Sequence, residues 1–486
     1  MTESAHDRVD AARRAHGAGG SSSGSLLARA RRRLRRYRTG PVAALRRVAH
    51  LLRAARRDPA VRRTVPRELV RAICGPGTGS ARPRTAAARQ PGVAAVARPA
   101  AESGESGRHI RVCLFSPADL NIVSGASIWV EAVAQVLHAG LGTEVVIPLR
   151  TLERRTLVTG PLRELDGVEL VDPRRIRPYV PASGLEIEES LDLIEGLDDA
   201  APFDVIVVRS FGACLAAIER PSLRDRLWST YVLEPERDIE SAAYLADLAR
   251  IAAASRWVVV QSEEMRGLLE SVVPGARGRT IILPPAVPNP AEPARLLPAP
   301  AARLWYAGKF HPFYPVPLML DIFETLQPDH PDLEFHAIGD QVFRPPGGDA
   351  WADDLERRLR TTPGVTWHGA VARDDVVRLL GGGGIALSLW DYRHGDRMND
   401  LVVSTKLLDY CRAGLPVVLN RTAAQATILG PDYPLFVDRA EDALEVVRRV
   451  LDDPALGLRA AERCRDAALR FTYAAVRESI APFLEG

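Results

Sequence analysis

The stretch STKLLDYCRAGLPVVLN, residues 404–420, decides the fold. It reads as a helix over 404–413 followed at once by a short apolar strand, PVVLN, over 416–420. It also holds one of only two lysines in a chain with 64 basic residues; Lys309 is the other, and 62 are arginines. The abundance of Arg, Ala, Gly and Pro points to a biased genome that replaces Lys by Arg wherever either serves. A lysine kept here asks for a reason.

Working outward, the same alternation runs through the second half of the chain. Strands are predicted at 303–310 (RLWYAGKF), 333–340 (LEFHAIGD), 364–371 (GVTWHGAV) and 384–391 (GIALSLWD), with helices at about 316–327, 352–361 and 372–381. The segments 440–452, 455–470 and 472–484 read as helices. GGGG (381–384) falls between a helix and a strand and reads as a turn, because no helix follows it directly. The first half repeats the pattern. Strands fit at 110–117 (IRVCLFSP), 143–150, 203–210 (FDVIVVRS), 228–234, 256–262 and 280–285, and helices at 125–140, 241–252 and 262–272. Short apolar strands alternating with helices imply parallel, doubly wound sheets. The fold class is therefore α/β, with two Rossmann-like domains facing a central cleft. The expected boundaries are 109–288, a Pro-rich linker at 289–301, 302–470, and a final helix at 471–486 that crosses back to the first domain.

Ligands of such sheets bind beyond the carboxyl ends of the strands. Both lysines fall there, Lys309 at the carboxyl end of a strand and Lys406 at a helix start, where backbone N–H groups also favour an anion. Two compact cations at adjacent strand ends suit a diphosphate.

With these residues in view, YAGKFHPFYP (306–315) resembles the element that opens the second domain of GT-B glycosyltransferases, and STKLLDYCRAGLPVV resembles their Lys-Leu-x-Glu-Tyr element. SPADLNIVSGASIWVEAVAQVL and VVVQSEEMRGLL are similar to first-domain elements of the same superfamily. The resemblance is to the retaining family 4 branch and covers about 109–486. It implies transfer of a sugar from a nucleotide-diphosphate sugar to an acceptor hydroxyl with retention of configuration, in glycan or glycolipid synthesis, and no metal or other cofactor. Gly308, Lys309, Lys406 and Leu407 would contact the donor, with Gly125 allowing close approach from the first domain. Asp409 stands where the family has a Glu for the ribose hydroxyls. The family's other Glu would fall at Leu401, so Asp391 and Asp400 are the candidates near the sugar, with Asp396 and Asn399 in the same loop. His311 is a further candidate for a phosphate or a sugar hydroxyl. Arg209, Ser210, Glu234 and Glu236 follow strand ends of the first domain and are expected at the cleft, for acceptor or sugar. A sugar-nucleotide epimerase, a glycan phosphorylase and a non-catalytic nucleotide- or partner-binding subunit use the same fold and stay open at this point.

The charge is uneven. Residues 1–108 carry 24 Arg against 7 acids, and the remaining chain is acidic. Residues 1–72 read as a basic arm, disordered at first and helical over 26–72, where Val42, Leu45, Val48, Leu51, Leu52 and Ala55 form a stripe flanked by arginines. That pattern suits an anionic membrane surface or a protein face better than nucleic acid. Residues 73–108 read as a Gly/Pro/Ala linker, in which GPGTG (75–79) lacks the preceding strand of a phosphate loop. The five cysteines, Cys74, Cys113, Cys214, Cys411 and Cys464, show no metal-ligand spacing and suit a reducing compartment. Cytoplasmic placement, peripheral at the inner membrane face, is the resulting expectation.

Overall fold

In the first domain, runs of Val, Ile and Leu form strands that are buried on both faces, as parallel sheets require. The computed structural model describes residues 109–485, apart from 139–141, 235–238, 291–295, 298–300, 345–348 and 392–399. The basic arm, the 73–108 linker, Glu236, Asp396 and Asn399 lie outside the described residues.

The first domain comprises β1 (Ile110–Phe115), α1 (Gly125–His138), β2 (Thr143–Pro148), α2 (Thr159–Arg163), β3 (Val168–Val171), α3 (Ile187–Ala200), β4 (Val205–Arg209), α4 (Phe211–Ala217), β5 (Leu227–Thr230), α5 (Ala242–Ala254), β6 (Trp257–Val260), α6 (Glu263–Val272) and β7 (Thr280–Ile282). The second comprises β8 (Arg303–Ala307), α7 (Val316–Leu326), β9 (Glu334–Ile338), α8 (Asp349–Thr361), β10 (Val365–Gly369), α9 (Arg373–Leu380), β11 (Ile385–Ser388), α10 (Thr405–Arg412), β12 (Val417–Asn420), α11 (Ala423–Leu429), β13 (Phe436–Val437), α12 (Ala443–Asp452), α13 (Pro454–Leu469) and α14 (Tyr473–Glu485).

The sheets run β3-β2-β1-β4-β5-β6-β7 and β10-β9-β8-β11-β12-β13, and every described strand pair is parallel. In each sheet the chain winds outward from a first central strand and then restarts on its other side. The switch points lie between β1 and β4 and between β8 and β11. Crevices at the carboxyl ends of such strands are where doubly wound sheets take ligands.

The crossover segments and contacts across the cleft hold the halves together. Tyr473, Val476, Ile480 and Leu484 of α14 are buried in the same cluster as Trp129, Val133 and Leu137 of α1. The Val287 amide donates to the Phe471 carbonyl (2.8 Å) and the Tyr473 amide to that of Val287 (2.9 Å), so the two crossover segments run side by side. Across the cleft, Gln341 donates to the Val123 carbonyl (3.2 Å), Ser262 Oγ to that of Leu401 (3.0 Å), and Arg155 pairs with Asp340 (3.0 Å). No helix among the described residues is long and apolar enough to cross a membrane.

Candidate active site

The second sheet's switch point brings both lysines to one place. Tyr306, the penultimate residue of β8, is fully buried, and its hydroxyl donates to the Lys309 carbonyl (2.5 Å). Gly308 has φ of +154°, and a Cβ there would lie 3.3 Å from Lys406 Nζ. A side chain at 308 would therefore crowd the ammonium as well as strain the backbone. Gly339, with φ of +136°, follows β9, and a Cβ there would lie 2.1 Å from the Gly308 carbonyl oxygen. These two glycines let the strand ends approach each other closely.

Lys406 enters from the start of α10. The helix is fixed by Leu407, Leu408, Tyr410 and Cys411 in the core, and the Tyr410 hydroxyl accepts from the Ala307 amide of β8 (2.7 Å). Lys406 Nζ lies 3.7 Å from the Tyr314 ring centroid and 5.0 Å from that of Tyr306; Lys309 Nζ is 6.0 Å from Tyr314. Among the described residues no carboxylate pairs with either lysine. Burial, and the neighbouring charge of Lys309, push the Lys406 ammonium down to about 7. Two cations are thus held together, on aromatic faces, at a strand-end crevice.

The other expected residues divide. Gly125 is the exposed first residue of α1, and a Cβ there would meet nothing within 4 Å. Protein packing does not require glycine at that position. His311 lies between Phe313 and Phe343, with ring centroids at 4.5 and 4.3 Å, and its Nδ1 accepts from the Phe313 amide (3.2 Å). That bond leaves the proton on Nε2 in the neutral ring. The Asp391 amide donates to the Phe313 carbonyl (2.9 Å), which ties the loop after β11 to the loop after β8. Asp400 sits beside Leu401 and Val402, which pack against the first domain's core.

Leu407, expected to contact the donor, turns its side chain into the core. Its side chain is fully buried and its amide donates to the Ser404 carbonyl (3.1 Å), because apolar positions of α10 must face the core. Asp409 has a partner that the sequence did not reveal. Its Oδ1 accepts from Arg373 Nη2 (2.9 Å) and Nε (3.2 Å), and the Arg373 side chain is only 4% exposed. Arg373 also donates to the Ala286 carbonyl (2.9 Å) and the Tyr473 hydroxyl (3.1 Å). One guanidinium thereby joins α9, α10, the interdomain segment and α14. Tyr314 and Tyr306 were likewise missed. Their signal was present as aromatic residues interleaved with Lys309 in WYAGKFHPFYP.

Glu131 of α1 belongs to the same cluster. It is 5% exposed, and its Oε2 has no hydrogen-bond partner among the described residues. Burial raises its carboxyl to about 7, opposed by Arg373 and reinforced by Asp409 and Asp374. The folded chain therefore keeps a proton that the unfolded chain releases near pH 4.5, and this group's contribution to stability falls as pH rises from about 4.5 through 7. Glu131→Gln should melt higher than the wild type at pH 8 and alike at pH 4. An unchanged pH slope of the melting temperature would show that Glu131 does not titrate in this window.

Structural comparison identifies the fold. The chain resembles sucrose-phosphate synthase from Thermosynechococcus elongatus with a TM-score of 0.58 at 15% identity, over 77% of this chain and 98% of that one. It also resembles HepE from Anabaena in complex with UDP and glucose (TM-score 0.56, 15% identity, 78% and 100% covered). The fold is GT-B. WaaG, a glycosyltransferase involved in lipopolysaccharide biosynthesis, shares it (TM-score 0.51, 15% identity, 78% and 100% covered). Residues 320–481, most of the second GT-B domain, match the family described as glycosyl transferase-like. No curated protein matches the sequence.

Proposed function

We propose that the protein transfers a sugar from a nucleotide-diphosphate donor, held on residues 302–470, to an acceptor hydroxyl held on residues 109–288. One observation carries this reading: Lys309 and Lys406 meet at the second sheet's switch point without a carboxylate partner among the described residues. A diphosphate supplies the missing negative charge. As the bond from the sugar to the diphosphate breaks, the leaving group gains charge, and two fixed cations beside it stabilise that change more than they stabilise the bound donor. Lys309 and Lys406 would act in place of a metal ion. Asp391, Asp400 and His311 are proposed near the sugar, with His311 Nε2–H as a donor. Asp409 is proposed to hold Arg373 rather than the ribose. Retention of configuration follows the family resemblance.

Titration of the intact protein with UDP, GDP and ADP tests the donor site; micromolar binding of one of them is expected. Incubation with the matching nucleotide sugars, followed by proton NMR, should show an anomeric product that retains the donor's configuration, at the same rate with EDTA. Binding without release of nucleotide diphosphate from any donor would favour a non-catalytic subunit. A donor isomerised without transfer would favour an epimerase.

A further inference from the structure

Across the cleft, the ends of β4, β5 and β6 form a second polar corner. Ser210 (φ 85°) and Tyr231 (φ 55°) are the two non-glycine residues with left-handed backbone among the described residues. They are neighbours, since the Ser210 amide donates to the Thr230 carbonyl (3.0 Å). Such conformations persist only where the surroundings impose them, and they cluster at ligand sites. The Arg209 guanidinium lies 3.9 Å from the Tyr231 ring centroid and 5.5 Å from that of Trp129 in α1. The two rings meet edge to face at 5.5 Å.

Two buried polar atoms of the corner have no hydrogen-bond partner among the described residues. Arg209 Nε is buried without a hydrogen-bond partner, and so is Gln261 Oε1 at the end of β6. Both side chains act on the Tyr231 hydroxyl. Among the described residues Arg209 makes no ion pair. Ser262, next to Gln261, donates to the Leu401 carbonyl, so this corner faces the loop that carries Asp391 and Asp400. A guanidinium held on aromatic faces, partly desolvated and without a carboxylate among the described residues, is completed by an anion; a neutral hydroxyl could bond to it but would leave its charge uncompensated. The unused acceptor at Gln261 suits a neighbouring hydroxyl.

We propose that Arg209 selects an acidic sugar, with a carboxylate or phosphate of that sugar on Arg209 and an adjacent hydroxyl on Gln261. The proposal rests on the glycosyltransferase reading and narrows its substrate class. The acidic sugar is either the one transferred or the one at the acceptor end, and the same chemistry recognises both.

Calorimetry on the intact wild type, Arg209→Gln and Arg209→Lys tests it. UDP reports the diphosphate site alone and should bind all three proteins alike. A donor arm compares UDP-glucuronate with UDP-glucose. An acceptor arm compares methyl glucuronide and glucose 6-phosphate with methyl glucoside, with and without UDP. The wild type is expected to prefer the acidic ligand at least tenfold in one arm. Arg209→Gln should abolish that preference, and Arg209→Lys, which keeps the charge but loses the planar fork, should cut it to a few-fold. A preference in the donor arm assigns the charge to the transferred sugar, and one in the acceptor arm to the acceptor. Equal binding of acidic and neutral ligands by the wild type in both arms, or a preference that survives Arg209→Gln, overturns the proposal. If Arg209→Gln fails to fold, a full preference in Arg209→Lys overturns the requirement for the fork. If the wild type does not bind UDP, the donor arm is run with the glucuronate and glucose donors of whichever of GDP and ADP it binds, and the same outcomes apply.

Discussion

Lys406→Ala is expected to weaken nucleotide-diphosphate binding at least tenfold, and Lys406→Met to raise the melting temperature of the free protein. Tenfold corresponds to about 1.4 kcal/mol, just under the roughly 1.5–3 kcal/mol that one charge-assisted hydrogen bond supplies. The opposite sign for stability follows from the site's construction. In the free protein Lys406 is crowded by Lys309 and desolvated against Tyr306 and Tyr314, so its ammonium is destabilised until an anion arrives. Met fills similar space without charge. Site residues that carry strain for function show this combination of lost binding and gained stability. Unchanged affinity in Lys406→Ala would remove the diphosphate from this site.

The pH dependence has a definite direction. With its pKa down at about 7, Lys406 is increasingly neutral above pH 7, whereas a bound diphosphate favours the charged form. Binding above pH 7 therefore takes up a proton, and affinity should fall between pH 7 and 9 by up to about tenfold per pH unit. Lys406→Ala should flatten that slope. For the free fold the sign reverses. The depressed pKa means that the unfolded chain binds more protons between about 7 and 10.5, so this group's destabilising effect is relieved as pH rises through that window.

Much of this was readable before the fold was known, for particular reasons. Lys309 and Lys406 stood out because lysine is rare in a chain that uses arginine almost everywhere. Strands such as VIVVR and IALS are continuous apolar runs and could not be mistaken. Two strands escaped notice. Val168–Val171 alternates with exposed positions at a sheet edge, and Phe436–Val437 is only two residues long. Arg373 was invisible for the opposite reason to the lysines: one arginine among 62 carries no signal, and its partner Asp409 is 36 residues away. Glu131 was hidden because α1 is buried on nearly all sides, between its own sheet and α14, so an acidic residue in the helix gave no sign of being buried.

Asp409→Ala should therefore cost the fold about 3–5 kcal/mol, the usual loss when one partner of a buried ion pair is removed. Arg373 would be left 4% exposed, with its charge uncompensated beside Arg412, whose Nε and Nη1 are buried without hydrogen-bond partners among the described residues. Asp409→Asn should cost less, because an amide oxygen can still accept from Arg373. The double variant Asp409→Ala/Arg373→Met should recover much of the loss, since apolar replacement of a whole buried pair is often close to neutral. Chemical denaturation of the four proteins measures these differences. The same proteins decide the role of Asp409 in binding. If it only holds Arg373, nucleotide affinity per folded molecule will change less than tenfold in Asp409→Asn. A larger loss in a variant that remains folded would return Asp409 to the ribose.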